Sequence, residues 1–275
     1  MLRIMSGICA AGIGMRLTQR AKDEDGEREG VGVQPYERPE EGREGGGQCV
    51  LVQGGIRRAM SLLEAIKKAD KGSLILLRPG VYDAVLVLGK DDVTVGGDAA
   101  CEDTVLRVRG DEGGGTPPCA VVCRAFGCTL VNLTIEYIGT DRSSSAVIVQ
   151  SGSLTIKNCD IFNGVGCGVT VRRGMDCKLI GNRIRDSGSA GISLEQDVHS
   201  EIKYNDIVRS AGPAVLVQEG ANPLIEENKI AKGRASGVLA IVNGKGIIRA
   251  NEFLLNGKAG VEIRSGADPV VERNR

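Results

Sequence analysis

Residues 201–230 read EIKYNDIVRSAGPAVLVQEGANPLIEENKI, and the first part of this stretch recurs after 23 residues. Asn205 is followed 23 positions later by Asn228, and the aliphatic residues around both asparagines keep the same interval. The asparagine column comprises Asn182, Asn205, Asn228, Asn251 and Asn274. A fixed interval of about 20–50 residues is typical of proteins built from stacked units. The sequence therefore predicts a solenoid.

Apolar residues of each repeat alternate with polar ones, which indicates strands and not helices. Four aliphatic columns keep the period: Ile156, Leu179, Ile202, Ile225, Ile248 and Val271; Ile161, Ile184, Ile207, Ile230 and Phe253; Val169, Ile192, Val215, Val238 and Val261; Val171, Leu194, Val217, Ala240 and Ile263. A unit this short cannot bury its apolar side chains alone, so the units must stack. We predict an all-β solenoid of parallel strands with rungs of about 23 residues.

Two further markers concern the corners of each rung. The asparagine column is predicted to be a structural ladder, because stacked amides bond to one another between rungs. A second column holds mostly glycine, at Gly168, Gly191, Ala214, Gly237 and Gly260. We expect these glycines to supply positive φ at a sharp corner.

Charged residues also alternate in sign from one rung to the next. One such column is Asp160, Arg183, Asp206, Lys229, Glu252 and Arg275, and another is Lys203, Glu226, Arg249 and Glu272. Opposite charges on adjacent strands stabilise one register over another. We interpret both columns as solvated ladders and not as binding sites.

The domain organisation follows from these patterns. Residues 1–48 are rich in Glu, Gly and Arg and are predicted to be a disordered leader, and residues 49–275 form the β-helix domain, with regular rungs over 153–275. Ser61 and Glu64 are spaced as a capping box in a capping helix at about 56–70. Polar loops are expected at 110–118 and 139–145. The last rung is incomplete, so its uncapped end would permit end-to-end association.

Composition excludes several classes of partner. Lys plus Arg number 35 and Asp plus Glu also number 35, which gives no attraction to nucleic acid, and no apolar run is long enough to cross a membrane. Nine cysteines without a secretory signal indicate reduced thiols in the cytoplasm or nucleus, although residues 1–20 weakly resemble an organelle transit segment. Cys119, Cys123 and Cys128 lack the CxxC spacing, so we expect no metal site and no cofactor.

Several segments carry a family resemblance. SLILLRPGVY at 73–82, with the columns above, resembles the right-handed parallel β-helix repeats of pectin-lyase-like proteins over about residues 50–275. NPLIEENKI at 222–230 and AGVEI at 259–263 most closely resemble the β-helix of F-box proteins. The resemblance implies a right-handed, single-stranded β-helix that binds substrates of a ubiquitin ligase. No F-box is recognisable in residues 1–48.

The candidate catalytic residues of the predicted β-helix decide between an enzyme and a binding protein. Asp160 and Asp206 lie two rungs apart, about 9.6 Å, which suits paired carboxylates, but Arg183 lies between them. Asp91-Asp92 and His199 are interpreted as surface turn residues. We therefore predict no catalytic residue and a non-catalytic protein-binding or scaffolding module. The alternative is a carbohydrate-active lyase, hydrolase or epimerase-like protein, or a polysaccharide binder, and only Tyr137 and Tyr204 are available as sugar-stacking aromatics.

Three aliphatic residues are the predicted binding surface. Leu216, Leu239 and Ile241 should face outward if their neighbours in the strands face inward. Adjacent rungs would place Leu216 beside Leu239 in an apolar strip that docks a protein partner. A local bulge that turns these residues inward is the alternative. A purely architectural solenoid is a third hypothesis, and a polysaccharide is the alternative ligand.

Overall fold

The computed structural model describes residues 48–110 and 118–275. The first part of this chain forms β1 (Gln48–Gln53), β2 (Ile56–Ser61), α1 (Leu62–Lys68), β3 (Leu74–Leu77), β4 (Gly80–Asp83), β5 (Leu86–Leu88), β6 (Thr94–Gly97), a 3₁₀ turn (Cys101–Asp103), β7 (Thr104–Arg109) and β8 (Cys119–Cys123). The middle part forms β9 (Cys128–Val131), β10 (Thr134–Ile138), β11 (Ser145–Val149), β12 (Ser153–Lys157), β13 (Asp160–Asn163), β14 (Cys167–Val171), β15 (Asp176–Ile180), β16 (Arg183–Arg185) and β17 (Ile192–Leu194). The last part forms β18 (Glu201–Lys203), β19 (Asp206–Val208), β20 (Val215–Val217), β21 (Leu224–Glu226), β22 (Lys229–Ala231), β23 (Val238–Ala240), β24 (Ile247–Arg249), β25 (Glu252–Leu254), β26 (Val261–Ile263) and β27 (Val270–Glu272).

These strands form three sheets that the chain visits in turn, so each coil has three sides. Sheet A has the order β2-β1-β3-β6-β9-β12-β15-β18-β21-β24-β27, sheet B the order β4-β7-β10-β13-β16-β19-β22-β25, and sheet C the order β5-β8-β11-β14-β17-β20-β23-β26. Pairing is parallel except where β1 meets β2 and β3. The predicted parallel β-solenoid is confirmed.

The register of the strands is the sequence period. Ile202 pairs with Ile225 and Ile225 with Ile248 in sheet A, while Ile207 pairs with Ile230 in sheet B. Residues 23 apart are thus direct neighbours on adjacent strands. The four predicted aliphatic columns point inward, and their members up to Ile248 are almost fully buried. They are the core of the solenoid.

The corners depend on single residues in the left-handed backbone region. Between sheets A and B this residue is Gly181, Tyr204, Glu227 or Ala250, with φ of 66°, 59°, 55° and 54°. Asp186, Arg209 and Lys232 fill the equivalent position after sheet B, with φ of 54°, 58° and 58°. Each such residue turns the chain sharply from one sheet to the next, and most of the residues that supply positive φ here are not glycines.

The glycine column has a different role from the one predicted. Gly168, Gly191, Gly237 and Gly260 do not have positive φ. A β-carbon on Gly191 would instead lie 2.6 Å from Ala214 O and 2.9 Å from Ile207 Cγ2. The expectation of positive φ in this column was therefore wrong. Gly168, Gly191 and Gly237 are small because the backbone of the next coil passes close to them, and Gly260 is small because the Phe253 side chain does.

The asparagine column forms a continuous amide ladder inside the corner between sheets A and B. Asn205 Nδ2 donates to Asn228 Oδ1 at 2.9 Å, and the Asn205 backbone N–H donates to the same oxygen at 3.0 Å. Asn205 Nδ2 also donates to Leu179 O at 2.8 Å. The same bonds recur from Asn182 through Asn274. Cys159 starts the ladder, since its N–H donates to Asn182 Oδ1 at 3.0 Å.

The N-terminal cap is shorter than predicted. Residues 56–61, expected to begin the capping helix of about 56–70, form strand β2, because their backbone pairs antiparallel with β1. The helix begins at Leu62, and the Ser61–Glu64 capping box is present. Leu62 and Ala65 are buried. Part of the predicted helix was therefore wrong.

Other expectations concern loops and ends. The leader at 1–48 lies outside the described residues apart from Gln48, and the loop at 110–118 does so for residues 111–117. Ser145, expected in the second loop, is buried and begins β11. Val270 and Val271 in the last strand are 56% and 43% exposed. End-to-end association stays a prediction.

Both charged columns lie in the predicted register, but their ion pairs differ. Glu226 pairs with Arg249 at 2.6 Å and with Lys203 at 3.4 Å, as the alternation predicts. Asp160 is opposite Arg183 in the sheets, yet its short ion pair is to Arg185 at 2.7 Å. Long side chains reach along a strand as well as across strands.

Asn205→Ala should lower the free energy of unfolding by about 2–4 kcal/mol, since it removes the acceptor of the buried Asn182 backbone N–H and the side-chain donor to Leu179 O and Asn228 Oδ1. Urea unfolding followed by circular dichroism measures this change. Exposed Asn222 is the matched control, and Asn222→Ala should change stability by less than about 0.5 kcal/mol. Equal effects of both variants would contradict a role for the ladder.

Three glycine-to-alanine variants separate backbone strain from close contact. Gly89→Ala should be nearly neutral, because Gly89 lacks positive φ and a methyl group placed on it would have no neighbouring atom within 4 Å. Gly174→Ala, at φ 68° in open space, should cost about 1–2 kcal/mol. Gly152→Ala adds a clash with Ala125 O to a φ of 83° and should cost about 3 kcal/mol or more. Thermal unfolding of the three variants should follow this order, and any other order would contradict the assignment.

Candidate functional site

The outer surface of sheet C carries one continuous column of side chains across all eight strands. In order, the column is Val87, Val122, Ile148, Thr170, Ser193, Leu216, Leu239 and Glu262. The first three members and Leu216 and Leu239 are aliphatic, the two between them carry hydroxyl groups, and the last is acidic. Val122, Thr170 and Ser193 are buried, with 7%, 7% and 8% exposure. With about 4.8 Å between strands, Val122 to Leu239 spans about 24 Å. This surface is an extended strip and not a pocket.

The predicted binding residues lie on this strip. Leu216 and Leu239 are direct neighbours across β20 and β23, and each lies half-buried between two buried neighbours on its own strand. Ile241 continues the ladder beyond β23, because its N–H donates to Val217 O at 2.9 Å, and it too is half-buried. All three face outward, with no bulge turning them in. Their role in binding stays a prediction.

Sequence reasoning missed the other half of the apolar strip. Val87, Val122 and Ile148 occupy the same outward column, but the intervals between them are 35 and 26 residues. The irregular early coils hide the period there. The alternation within β8 and β11 is the signal that could have located Val122 and Ile148.

A polar column runs beside the apolar one on sheet C. Arg124 Nε donates to Gln150 Oε1 at 2.8 Å, and Arg172 donates to Glu195 Oε1 at 2.6 Å. The Gln218 amide donates to Ser193 Oγ at 3.2 Å. These side chains bond to one another between rungs and are partly exposed. They can also exchange hydrogen bonds with a ligand laid along the strip.

The outer surface of sheet B carries a network of alternating arginines and carboxylates. Arg107 pairs with Glu136 at 2.9 Å, and Arg185 pairs with Asp160 at 2.7 Å while lying 5.2 Å from the centre of the Phe162 ring. Arg209 binds both oxygens of Asp186, at 2.6 and 2.7 Å. Each of these three carboxylates has an arginine partner.

Environment shifts two of these carboxyl groups in opposite directions. The hydrogen bonds from Arg209 hold the pKa of Asp186 below its usual value. Burial raises the pKa of Asp160, an effect that the neighbouring Arg185 opposes. Desolvation and the ion pair with Arg185 thus act on the pKa of Asp160 in opposite directions. Such a combination is typical of a structural network as well as of a functional site.

Asp160 and Asp206, the carboxylate pair considered for hydrolysis, are not arranged as a general acid and a general base. Arg183 lies between Asp160 and Asp206 in the sheet, and Asp160 is engaged by Arg185. One oxygen of Asp206 is buried with no hydrogen-bond partner among the described residues. Within residues 48–110 and 118–275, no three His, Cys, Asp or Glu side chains are arranged to hold a metal ion.

The remaining candidates lie apart from one another. His199 is an exposed turn residue whose N–H donates to Asp176 Oδ1 at 3.2 Å. Asp91 accepts from the Phe126 N–H, and Asp92 pairs with Lys71. Each of these contacts joins segments that are distant in the sequence, and none of them brings the candidate residues together.

The aromatic residues differ from expectation. Tyr137, expected to be available for sugar stacking, is 2% exposed, because it packs into the core, so that expectation was wrong. Tyr204 is 56% exposed at a corner, and Phe126, which the sequence did not single out, is 65% exposed at another corner. Neither lies in a strand of sheet C. No helix of the described chain is long and apolar enough to cross a membrane.

This fold defines a class, the parallel β-helix proteins. The family described as right handed beta helix region matches residues 120–275, and the chain belongs to this family. The predicted right-handed β-helix resemblance is confirmed at that level.

Solved structures show the same fold at low identity. A PL6 family alginate lyase is similar at 11% identity over 78% of this chain and 38% of the lyase, with a TM-score of 0.50. The pectin methylesterase from Aspergillus niger is 14% identical over 81% of this chain and 83% of its own, with a TM-score of 0.48. A pectate lyase is 15% identical over 76% and 73%, with a TM-score of 0.46. At these identities the likeness concerns the fold alone.

Arg209→Gln should move the titration of Asp186 upward, because it removes both hydrogen bonds to the carboxylate. In the unaltered protein the depressed pKa contributes stability above the unfolded value, and this contribution is lost as pH falls below about 4. The variant should therefore lose less stability across that acid range. Carboxyl NMR titration and urea unfolding at several pH values measure both effects. Arg172→Gln on sheet C is the control, and an unchanged Asp186 titration in Arg209→Gln would contradict this account.

Proposed function

We propose that this protein is a non-catalytic binding module whose docking surface is the outer strip of sheet C, with a protein as the ligand. The observation that carries the proposal is the side-by-side, outward and half-exposed position of Leu216 and Leu239, extended by Ile241. Aliphatic side chains on a rigid flat sheet lose little freedom when a partner covers them. An apolar strip beside hydrogen-bonding side chains is the usual composition of a protein-binding surface.

The state of the carboxylates supports the non-catalytic part of the proposal. General acid catalysis needs a carboxyl group that can exchange its proton near neutral pH. Glu136, Asp160 and Asp186 each accept from an arginine at less than 3 Å, and the hydrogen bonds from Arg209 hold the pKa of Asp186 below its usual value. They stabilise the stack by joining adjacent coils.

A polysaccharide is the second candidate ligand, and one observation favours it. Beside the middle of the strip lie the exposed or half-buried side chains of Gln150, Arg172 and Glu195, whereas Thr170 and Ser193 themselves are buried. Amide and ion-paired groups in a row can bond to successive sugar units of an extended polymer. The described strands of sheet C offer no aromatic platform in this column, so we place this candidate second.

The resemblance to the β-helix of F-box proteins supports a protein as the partner. An adaptor role in ubiquitin transfer is a further proposal that rests on this resemblance. It predicts that proteins captured through Leu216 and Leu239 gain ubiquitin in the presence of the full chain and a ligase. Captured proteins that gain none would contradict it.

Leu239→Asp should weaken partner binding by about tenfold or more, because it places a charge between the apolar side chains of Leu216 and Ile241. Leu224, a half-buried outward leucine of sheet A, provides the matched control in Leu224→Asp. The measurement is affinity capture on immobilised protein with quantitative mass spectrometry, followed by binding constants for the captured proteins. The expected partners are retained by the unaltered chain and by Leu224→Asp and are lost with Leu216→Asp and Leu239→Asp.

Two results would contradict the protein-docking proposal. One is a set of captured proteins that does not differ between Leu239→Asp and Leu224→Asp. The other is loss of the circular dichroism spectrum in Leu239→Asp alone, which would make Leu239 a core residue.

Retardation in gels containing alginate or polygalacturonate, lost in Arg172→Ala but not in Arg249→Ala, would favour the polysaccharide candidate. Release of unsaturated or reducing ends from these polymers would contradict the non-catalytic assignment.

A further inference from the structure

Two cysteine thiols meet inside one corner between sheets C and A. Cys123 is the last residue of β8 and Cys128 is the first residue of β9, so only the turn at 124–127 separates them. Both side chains are 0% exposed. The thiols are hydrogen-bonded to each other. This contact was not expected from the sequence, since the spacing is not that of a CxxC motif.

The remaining contacts hold both sulfurs at this corner. Cys123 Sγ donates to Ala125 O at 3.3 Å, and Cys128 Sγ lies 3.4 Å from Lys90 O. Cys123 Sγ also lies 3.8 Å from Ser153 O of the following coil, and Cys128 Sγ lies 3.9 Å from Phe126 O of the turn. Both sulfurs are therefore held at this corner by carbonyls of the turn and of the two adjacent coils.

Neighbouring coils show that the fold does not require sulfur here. The next coil has Val149 and Leu154 at the same two positions, in register with Cys123 and Cys128. The coil after that has Val171 and Cys177. Aliphatic side chains fill this corner equally well, so the paired thiols are a feature of one coil and need a separate explanation.

The hydrogen bond also makes the two thiols unequal. Donation from Cys128 lowers the pKa of Cys123, whereas the same bond and burial raise the pKa of Cys128. A thiolate is the nucleophile in cysteine oxidation, and a neighbouring thiol is the group that resolves the oxidised product. Cys123 suits the first role and Cys128 suits the second.

We propose that Cys123 and Cys128 are a redox-active pair that closes to a disulfide when the protein meets hydrogen peroxide. The Cys123 sulfur attacks one peroxide oxygen, the O–O bond breaks, and the released hydroxide takes a proton to become water. The sulfenic acid formed on Cys123 is then attacked by the Cys128 sulfur. The S–O bond breaks and a second water leaves with the Cys128 proton. Two electrons pass from the two sulfurs to one peroxide, which is small enough to reach a buried corner during local opening.

The disulfide would tie sheet C to sheet A across the turn that carries Phe126. That turn is already bonded to the preceding coil, since Phe126 N–H donates to Asp91 Oδ1 at 2.9 Å and Asp92 N–H donates to Phe126 O at 2.8 Å. The closed loop is short, so the gain in global stability should be small. The expected effect is a locally rigid corner with slower amide exchange in the turn.

The test is peptide mapping of the full chain after treatment with hydrogen peroxide and alkylation of free thiols. Trypsin cleaves after Arg124, so the peptides 110–124 and 125–142 remain together only when a disulfide joins them. The expected result is this linked pair, two hydrogens lighter than the reduced peptides and separated by dithiothreitol. Cys123→Ala and Cys128→Ala should abolish the link. Cys159→Ala, a change of an equally buried thiol at another corner, should keep it.

Three results would overturn the proposal. Peroxide could oxidise the half-exposed Cys101 and Cys167 while Cys123 and Cys128 remain fully alkylated after unfolding. The linked peptide could persist in Cys123→Ala, which would assign the bond to Cys119. The linked peptide could also be absent from the unaltered chain at peroxide concentrations that oxidise its exposed thiols. The mapping of the unaltered chain decides the question even where a variant fails to fold.

Discussion

Parallel backbone hydrogen bonding between coils, kept in register by the buried asparagine ladder, is the interaction on which the rest of this molecule depends. Each amide from Asn182 to Asn251 bonds to the next coil, and each from Asn182 to Asn274 bonds to a carbonyl of the preceding one. A slip of one residue would move every aliphatic column from the core to the surface. Because the amides are buried, a slipped register would also leave them without partners.

Register has a direct consequence for function. Every outward position becomes a column that runs along the solenoid, so the side chains of successive coils lie side by side. Sheet B joins its coils with arginine–carboxylate pairs, whereas sheet C presents half-buried aliphatic side chains such as Leu216 and Leu239. A flat surface of the second kind is suited to docking an extended partner. The fold itself does not choose between a protein and a polysaccharide.

The accuracy of sequence-based prediction followed the regularity of the repeat. From residue 153 onward the interval is constant, and strands, core columns and the outward position of Leu216 could all be derived from it. In the early coils the interval varies between strands, so Val122 and Ile148 were missed as members of the same outward column. The capping helix was predicted to begin too early in the sequence, because nothing in residues 56–61 themselves indicates that they pair antiparallel with β1.

The sequence by itself determined the period, the parallel stacking and the inward or outward direction of each regular side chain, since a two-residue alternation and a fixed interval leave one arrangement. Only the tertiary structure decided which long side chains meet. Asp160 is opposite Arg183 in the sheet, yet it forms its short ion pair with Arg185. Tyr137 packs into the core, and Cys123 meets Cys128 inside a corner. These contacts depend on corner geometry and side-chain reach, which vary from coil to coil and are not encoded in the period.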